Sequence, residues 1–540
     1  MWGRSTPEEG SVTAMRNPSS ASARVTAITA LGLAFGLLQA VPSGAEPAAD
    51  AAAGFTPTLT SVDCPDPTSE SFPLPPPPVG PFPLPPRTTC YTLTVPLDWS
   101  MPTDGRTVDI LLTVTSAKRK PGRLGLTWNP GGPGGEAIPR VGEFYAYMPK
   151  SIQDNFDFVS WDPRGVGLSE PKLQGCVPAN VQPADTGPVD WEAYWQEVAD
   201  VSGAATRACI AANPDVAPYL GTWQVVRDME AMRQALGYAK WNYWGMSYGT
   251  RVGNTYARTF PSRLRAFIQD GSVMANESIT RFGSTTPAGD YATLQVYASI
   301  KGKKQGKKLE AIFDFLDDYT LVPAGGGAPI TRWSLMAHLN EDMRKPALLN
   351  ELPGFVNALY AAVKAQQAGQ PRKAARAVQK IDPLVVVDDN SDSFLTDLIN
   401  CVDMPDRPTV TSLARMSEAA ETSYGTAYGT SVLRASMCLG VPSEYSTPVN
   451  DDYSLLKLAT PPLFLLTTGD AGTPWVWGRS LANTFVGSKV MTYDSTEHVS
   501  FFRTPSACMK SAAEKYLLSL TLPRKDGFCE YATYVPPVTN

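Results

Sequence analysis

Seven short apolar runs, at 108–114, 124–128, 156–161, 242–246, 266–269, 462–467 and 489–493, set the tightest limit on how this chain can fold. Several are bounded by Gly or Pro and lack the apolar–polar alternation of a strand with one wet face. Runs of that kind fit strands covered on both sides, as in a parallel sheet flanked by helices. Helical periodicity at 225–236 and 248–260 falls between them, so the expected class is α/β with a mostly parallel, doubly wound sheet. From about 274 to 459 that rhythm stops. Segments such as YATLQVYASI, KKLEAIFDFLDDY, GFVNALYAAVKAQQ, PRKAARAVQKI and SLARMSEAAETSY read as helices, and the interval is expected to be a helical insertion packed over one end of the sheet.

The N-terminal region points to export. Arg16 and Arg24 precede an apolar stretch at 25–41, which is followed by Ser43-Gly44-Ala45, the pattern of a secretory leader cut near Ala45. The stretch contains Thr26, Thr29 and Gln39 and is shorter than the roughly 20 apolar residues that span a bilayer. No later segment reads as a membrane span. An exported chain makes its eight cysteines legible, because an oxidising compartment favours disulfides and no Cys-x-x-Cys is present. They fall as four neighbouring couples, so the expected bonds are 64–90, 176–209, 401–438 and 508–529. The first couple brackets a Pro-rich stretch at 65–86, read as a tied-down arm. The expected divisions are therefore a leader (1–45), an arm with the first strand region (46–105), two parts of an α/β core (106–273 and 460–540) and a helical cap (274–459). A hydrophobic fraction of 43% excludes disorder over most of the chain, and a net charge of −6 without a basic stripe argues against nucleic acid as a partner.

Gly245-Met246-Ser247-Tyr248-Gly249 directly follows one apolar run and precedes a helical stretch. A serine on a sharp strand-to-helix turn is strained and presented outward, and only small flanking residues let the chain pass, so Ser247 is the expected nucleophile. A hydroxyl near neutral pH needs a base to take its proton. The chain has two histidines. His338 lies inside the helical interval and is expected to be a packing or surface residue. His498 follows the last run, where a loop reaches back over the sheet edge, and is the expected base. Asp470 ends the 462–467 run and is the expected acid that orients the base, with Asp494 a weaker rival; Glu497 is expected to point away from the ring of its neighbour. Ser247, Asp470 and His498 then follow one another in the order of strand-turn hydrolases. Charge on an attacked carbonyl needs fixed donors, expected from the backbone N–H groups of Tyr248 and of Gly132, with Gly131 the alternative, in Asn129-Pro130-Gly131-Gly132-Pro133-Gly134-Gly135. A phosphate-binding loop is a poor reading of that segment, since no Gly-Lys-Ser/Thr follows.

The segments 129–135, WDPRGVGLS at 161–169, 245–249, GDAGTP at 469–474 and His498, which span about 90 to 530, resemble the secreted tripeptidyl aminopeptidases and their relatives in the prolyl-aminopeptidase family of α/β-hydrolase serine peptidases. The resemblance implies an α/β-hydrolase fold and an exopeptidase releasing short peptides from free N-termini, with the helical interval as a cap limiting access. It implies peptide substrates and no metal or organic cofactor. Asp162 and Arg164 are expected to brace loops around the site. Glu136 departs from the family pattern, where a small residue is expected. A cationic α-amine needs a carboxylate to receive it, and Glu136, Asp270, Glu277 and Asp403 are the candidates. An esterase or amidase on the same trio is the main rival, because the fold hosts many substrates. A binding protein on an inactive hydrolase scaffold is disfavoured by the intact trio.

Overall fold

The computed structural model describes residues 54–66, 82–119, 122–381, 392–500 and 504–534. The leader assigned to 1–45, its cleavage point and most of the Pro-rich stretch lie outside these residues. Ten strands form one sheet among them: β1 (Thr58–Val62), β2 (Thr88–Pro96), β3 (Thr107–Thr115), β4 (Gly125–Asn129), β5 (Asp157–Trp161), β6 (Trp241–Met246), β7 (Leu264–Asp270), β8 (Leu463–Thr467), β9 (Lys489–Tyr493) and β10 (Gly527–Cys529). Their order is β1-β2-β3-β5-β4-β6-β7-β8-β9-β10. The pairs from β1 to β5 are antiparallel and every pair from β5 to β10 is parallel. All seven apolar runs correspond to strands, β3 to β9.

The missing alternation has a direct cause. In β6, Trp241 and Tyr243 join one hydrophobic cluster while Trp244 and Met246 join another; Phe267 of β7 and Phe464 of β8 belong to the first, Ile268 and Leu465 to the second. Both faces of the central sheet are therefore buried, so apolar residues fall on successive positions of these strands instead of on every second one. The strands that the sequence reading did not place are β1, β2 and β10. β1 is rich in Thr and Ser and half exposed, β2 alternates as an antiparallel strand does, and β10 is three residues long, so none gives an unbroken apolar run.

Seven described α-helices lie between β7 and β8: Ile279–Lys301, Lys303–Leu316, Arg332–Met343, Pro346–Gln367, Pro371–Gln379, Asp392–Asp403 and Val410–Tyr424. Their apolar residues, among them Leu294, Ile312, Leu339, Leu359 and Leu413, extend the first cluster. Disulfides join Cys64–Cys90, Cys176–Cys209, Cys401–Cys438 and Cys508–Cys529, the four expected pairs. Each typically contributes about 2–4 kcal/mol by restricting the unfolded chain. No helix of the described residues is long and apolar enough to cross a membrane.

Candidate active site

Ser247 sits at the turn from β6 into the helix Gly249–Thr259 with φ +51°. A non-glycine residue in this left-handed region is strained and persists only where its surroundings hold it. Here they do: Ser247 N donates to the Asp270 carbonyl at 2.9 Å, and the N–H and hydroxyl of Thr250 both donate to the Ser247 carbonyl at 2.8 and 2.6 Å. The flanking glycines are required by close approach. A methyl group on Gly245 would overlap the Gly249 carbonyl, and one on Gly249 would lie 2.6 Å from the Asn129 carbonyl oxygen.

The loop after β4 lies against this turn. Gly131 and Gly132 have φ of +104° and +105°, and a methyl group on Gly131 would stand 2.8 Å from Ser247 Cβ. Asn129 Oδ1 accepts from Gly131 N at 3.0 Å and Gly131 O from Gly135 N at 3.1 Å, which closes the loop on itself. Asp162 then fixes its far end, accepting from the N–H groups of Ala137 (2.8 Å), Ile138 (3.1 Å) and Leu168 (3.2 Å). Burial pushes the Asp162 carboxyl up to about 6 against the pull of these donors. Arg164 is wholly buried in a bidentate pair with Asp228 at 2.7 and 2.6 Å. Both residues brace the loops and neither lines the cavity described below.

Asp470 and His498 meet where β8 and β9 end. His498 Nδ1 lies 2.8 and 2.9 Å from the two carboxylate oxygens of Asp470. Asp470 also accepts from the N–H of Gly472 (2.8 Å), the N–H of Thr473 (2.9 Å) and the Thr473 hydroxyl (3.0 Å). Burial works against its charge, but His498, these donors and the nearby Arg344 outweigh burial and hold the carboxyl below the usual carboxylate range. With Asp470 ionised, Nδ1 carries the proton and Nε2 is left to accept one. Asp494, the rival acid, instead accepts from the Thr468 hydroxyl at 3.0 Å. His338 pairs with Asp342 at 3.2 Å and packs on Phe355 within its own helical layer.

Ser247, Tyr248, Gly132 and His498 line one cavity of about 650 Å³. None of Glu136, Asp270, Glu277 and Asp403 lines it. Glu277 and Asp403 converge on Arg251, whose guanidinium donates to them at 2.8–2.9 Å, and all three are buried. Their charge is consumed by a cation that the sequence reading did not weigh. Asp270 accepts from Ser500 N and Oγ at 2.7 and 3.0 Å and thereby fastens the segment carrying His498. Glu136 is half-buried against Gly167.

The carboxylate that does line the cavity is Asp397, on the helix Asp392–Asp403. That helix starts against the glycine loop, where the Thr396 hydroxyl donates to the Pro133 carbonyl at 2.6 Å. Thr396, Asp397 and Asn400 all face the cavity, and burial pushes the Asp397 carboxyl up to about 7. Arg344 and Arg434 line the same cavity. Nothing local in the sequence marks these three residues. Their common wall is assembled from separate helical segments, so only the tertiary arrangement reveals it.

Several known proteins are similar to this chain. Residues 129–299 match a family model described as alpha/beta hydrolase fold, and residues 425–529 match one described as TAP-like protein. The serine protease Hip1 of Mycobacterium tuberculosis is 28% identical over 82% of this chain and 87% of its own length. The tripeptidyl aminopeptidase of Streptomyces lividans is 32% identical, over 34% of this chain and 35% of its length. Carboxylesterase B of Mycobacterium tuberculosis is 28% identical over 80% and 85%. Among solved structures, the proline iminopeptidase of Mycobacterium smegmatis covers 79% of this chain and 97% of its own at 15% identity and a TM-score of 0.35. These similarities support an α/β-hydrolase serine peptidase of the TAP-like family.

Proposed function

We propose that this serine hydrolase is an exported exopeptidase that releases short peptides, tripeptides among them, from free N-termini through an acyl-enzyme on Ser247. The observation that carries the reading is one cavity lined by the strained Ser247, by His498, whose Nδ1 is held by Asp470, and by a carboxylate, Asp397, with no hydrogen-bond or ion-pair partner among the described residues. In this reading His498 takes the Ser247 proton and returns it to the departing amine, while Asp470 holds the tautomer and stabilises the imidazolium. The N–H groups of Gly132 and Tyr248 receive the developing oxyanion. Asp397, in place of the four carboxylates singled out from the sequence, receives the substrate's α-ammonium. The 274–459 interval acts as a cap that brings Asp397 over the serine. Four disulfides are consistent with export.

The test is a series of chromogenic di-, tri- and tetrapeptides with free or acetylated N-termini. The reading expects the free forms to be cleaved at least about tenfold faster in kcat/KM, as for a charge-assisted hydrogen bond of roughly 1.5–3 kcal/mol. Equal rates would instead favour the second reading, an esterase or amidase on small substrates, which the similarity to a carboxylesterase supports.

A further inference from the structure

Arg344 and Arg434 form a second charged wall of the cavity, next to His498. A methyl group on Gly472 would stand 2.6 Å from His498 Nδ1 and 2.7 Å from an Arg344 Nη, so the guanidinium and the imidazole flank one point. Arg344 also accepts the His498 N–H through its own carbonyl at 3.2 Å. Arg434 donates to the Gly472 carbonyl at 2.8 Å from the other side. The two cations are close enough to disfavour one another, and burial together with Arg344 brings Arg434 down to about 10.

The acids nearby feel these cations, but each also has another partner. Glu341 lies 3.9 Å from Arg344 but 2.6 Å from Lys345. Asp290 is buried and accepts from the Ser431 hydroxyl at 2.5 Å, and Asp470 belongs to His498. The Nε of Arg344 is buried without a hydrogen-bond partner among the described residues. Two guanidiniums held together in a partly desolvated cavity, with donor capacity unspent, are poised for an anion with planar oxygens.

We propose that Arg344 and Arg434 bind a carboxylate on the departing part of the substrate. The placement follows from His498: the group that protonates a leaving amine stands on the leaving side of the scissile bond, and the guanidiniums stand beside it. The inference deepens the peptidase reading above and rests on it. The carboxylate has two sources, the free C-terminus of a short departing fragment or an acidic side chain near the cleaved bond.

Four peptides with the same free N-terminal tripeptidyl part separate these sources: departing Ala as free acid, Ala amide, Asp amide and Asn amide. Their kcat/KM reports steps through acylation, where the departing part is still bound. The wild-type protein is expected to prefer Ala acid over Ala amide, or Asp amide over Asn amide, by at least about tenfold, the range of a charge-assisted hydrogen bond. The pair that shows the preference names the source. Arg434→Gln and Arg344→Gln should bring that ratio towards one, with Arg434→Lys retaining part of it. Wild-type ratios near one for both pairs overturn the proposal even if no variant folds. So does an Arg434→Gln protein that loses activity on all four peptides in equal measure, which marks a purely structural arginine. Acetylating the N-terminus of the same peptides tests the exopeptidase reading separately, because an acid preference that survives acetylation leaves the arginine subsite standing.

Discussion

Ser247 is held in a backbone conformation that most residues avoid, and two glycines plus three hydrogen bonds to its own backbone keep it there. In the proposed triad this strain presents the hydroxyl to the cavity. Ser247→Ala and His498→Ala should therefore lower kcat by roughly 10⁴–10⁶ with thermal unfolding unchanged, as for comparable triads. His338→Ala should leave kinetics almost unaltered, and a matching collapse there would mean that the base has been misassigned. Asp397 gives a second expectation. Its carboxyl is raised to about 7 by burial, so it becomes neutral as pH falls through that value and loses its attraction for an ammonium. The preference for free over acetylated N-termini should shrink from pH 8 to pH 6, and Asp397→Asn should show little preference at either pH. Taking the ratio removes the titration of the base, which both substrates share. Glu497 is a third case. Burial raises it to about 8, and one of its oxygens has no hydrogen-bond partner among the described residues. In the unfolded chain it titrates near 4.3. Between those values the folded state binds the extra proton, so stability falls as pH rises and the loss is complete above about 8. Glu497→Gln should match the parent near pH 4 and exceed it at pH 8, by about 1.4 kcal/mol for each unit of raised pKa. Equal unfolding temperatures at pH 8 would contradict this.

At the level of elements, the strand ends carry the proposed catalytic groups. β4 leads into the glycine loop, β6 into Ser247, β8 into Asp470 and β9 into His498, all at carboxyl ends of parallel strands. That is where an open α/β sheet places its ligands. These positions were legible because each joins an apolar run to a short motif. The cavity wall was not. Asp397, Arg344 and Arg434 come from the cap interval, on a helix or next to helix ends whose registers fix nothing about the cavity until they pack. The carboxylates picked from the sequence failed to line it because Arg251, one turn beyond the nucleophile, gathers Glu277 and Asp403 as its counter-ions. The glycine loop yields a sharp expectation. Gly131→Ala demands φ +104° of an alanine and a 2.8 Å contact with Ser247 Cβ. It should displace the loop and cost about 10²–10³ in kcat, the scale of a lost oxyanion donor. A Gly131→Ala protein with parental kcat would show that the loop takes no part.

For the whole molecule, the sheet is continuous from an antiparallel edge at β1 to a parallel edge at β10, with a helical interval inserted between β7 and β8. β4 to β9 were readable because burial on both faces puts apolar residues on successive positions, and β3 because its buried half carries Ile110, Leu111 and Leu112 in a row. The edge strands were not, since one wet face or a three-residue length erases that signal. Cysteine couples close in sequence gave the disulfides, because short loops between paired cysteines kept the partners near. The helical interval separates Ser247 from Asp470 and His498 in sequence, and the sheet returns Ser247 and His498 to one cavity, with Asp470 bonded to the imidazole. The most direct measurement of that convergence is covalent labelling with a fluorophosphonate, with the adduct located by mass spectrometry and its rate followed. The account predicts one adduct, on Ser247, forming orders of magnitude more slowly in His498→Ala and Asp470→Asn. An adduct on another residue, or an undiminished rate once His498 is removed, would contradict it.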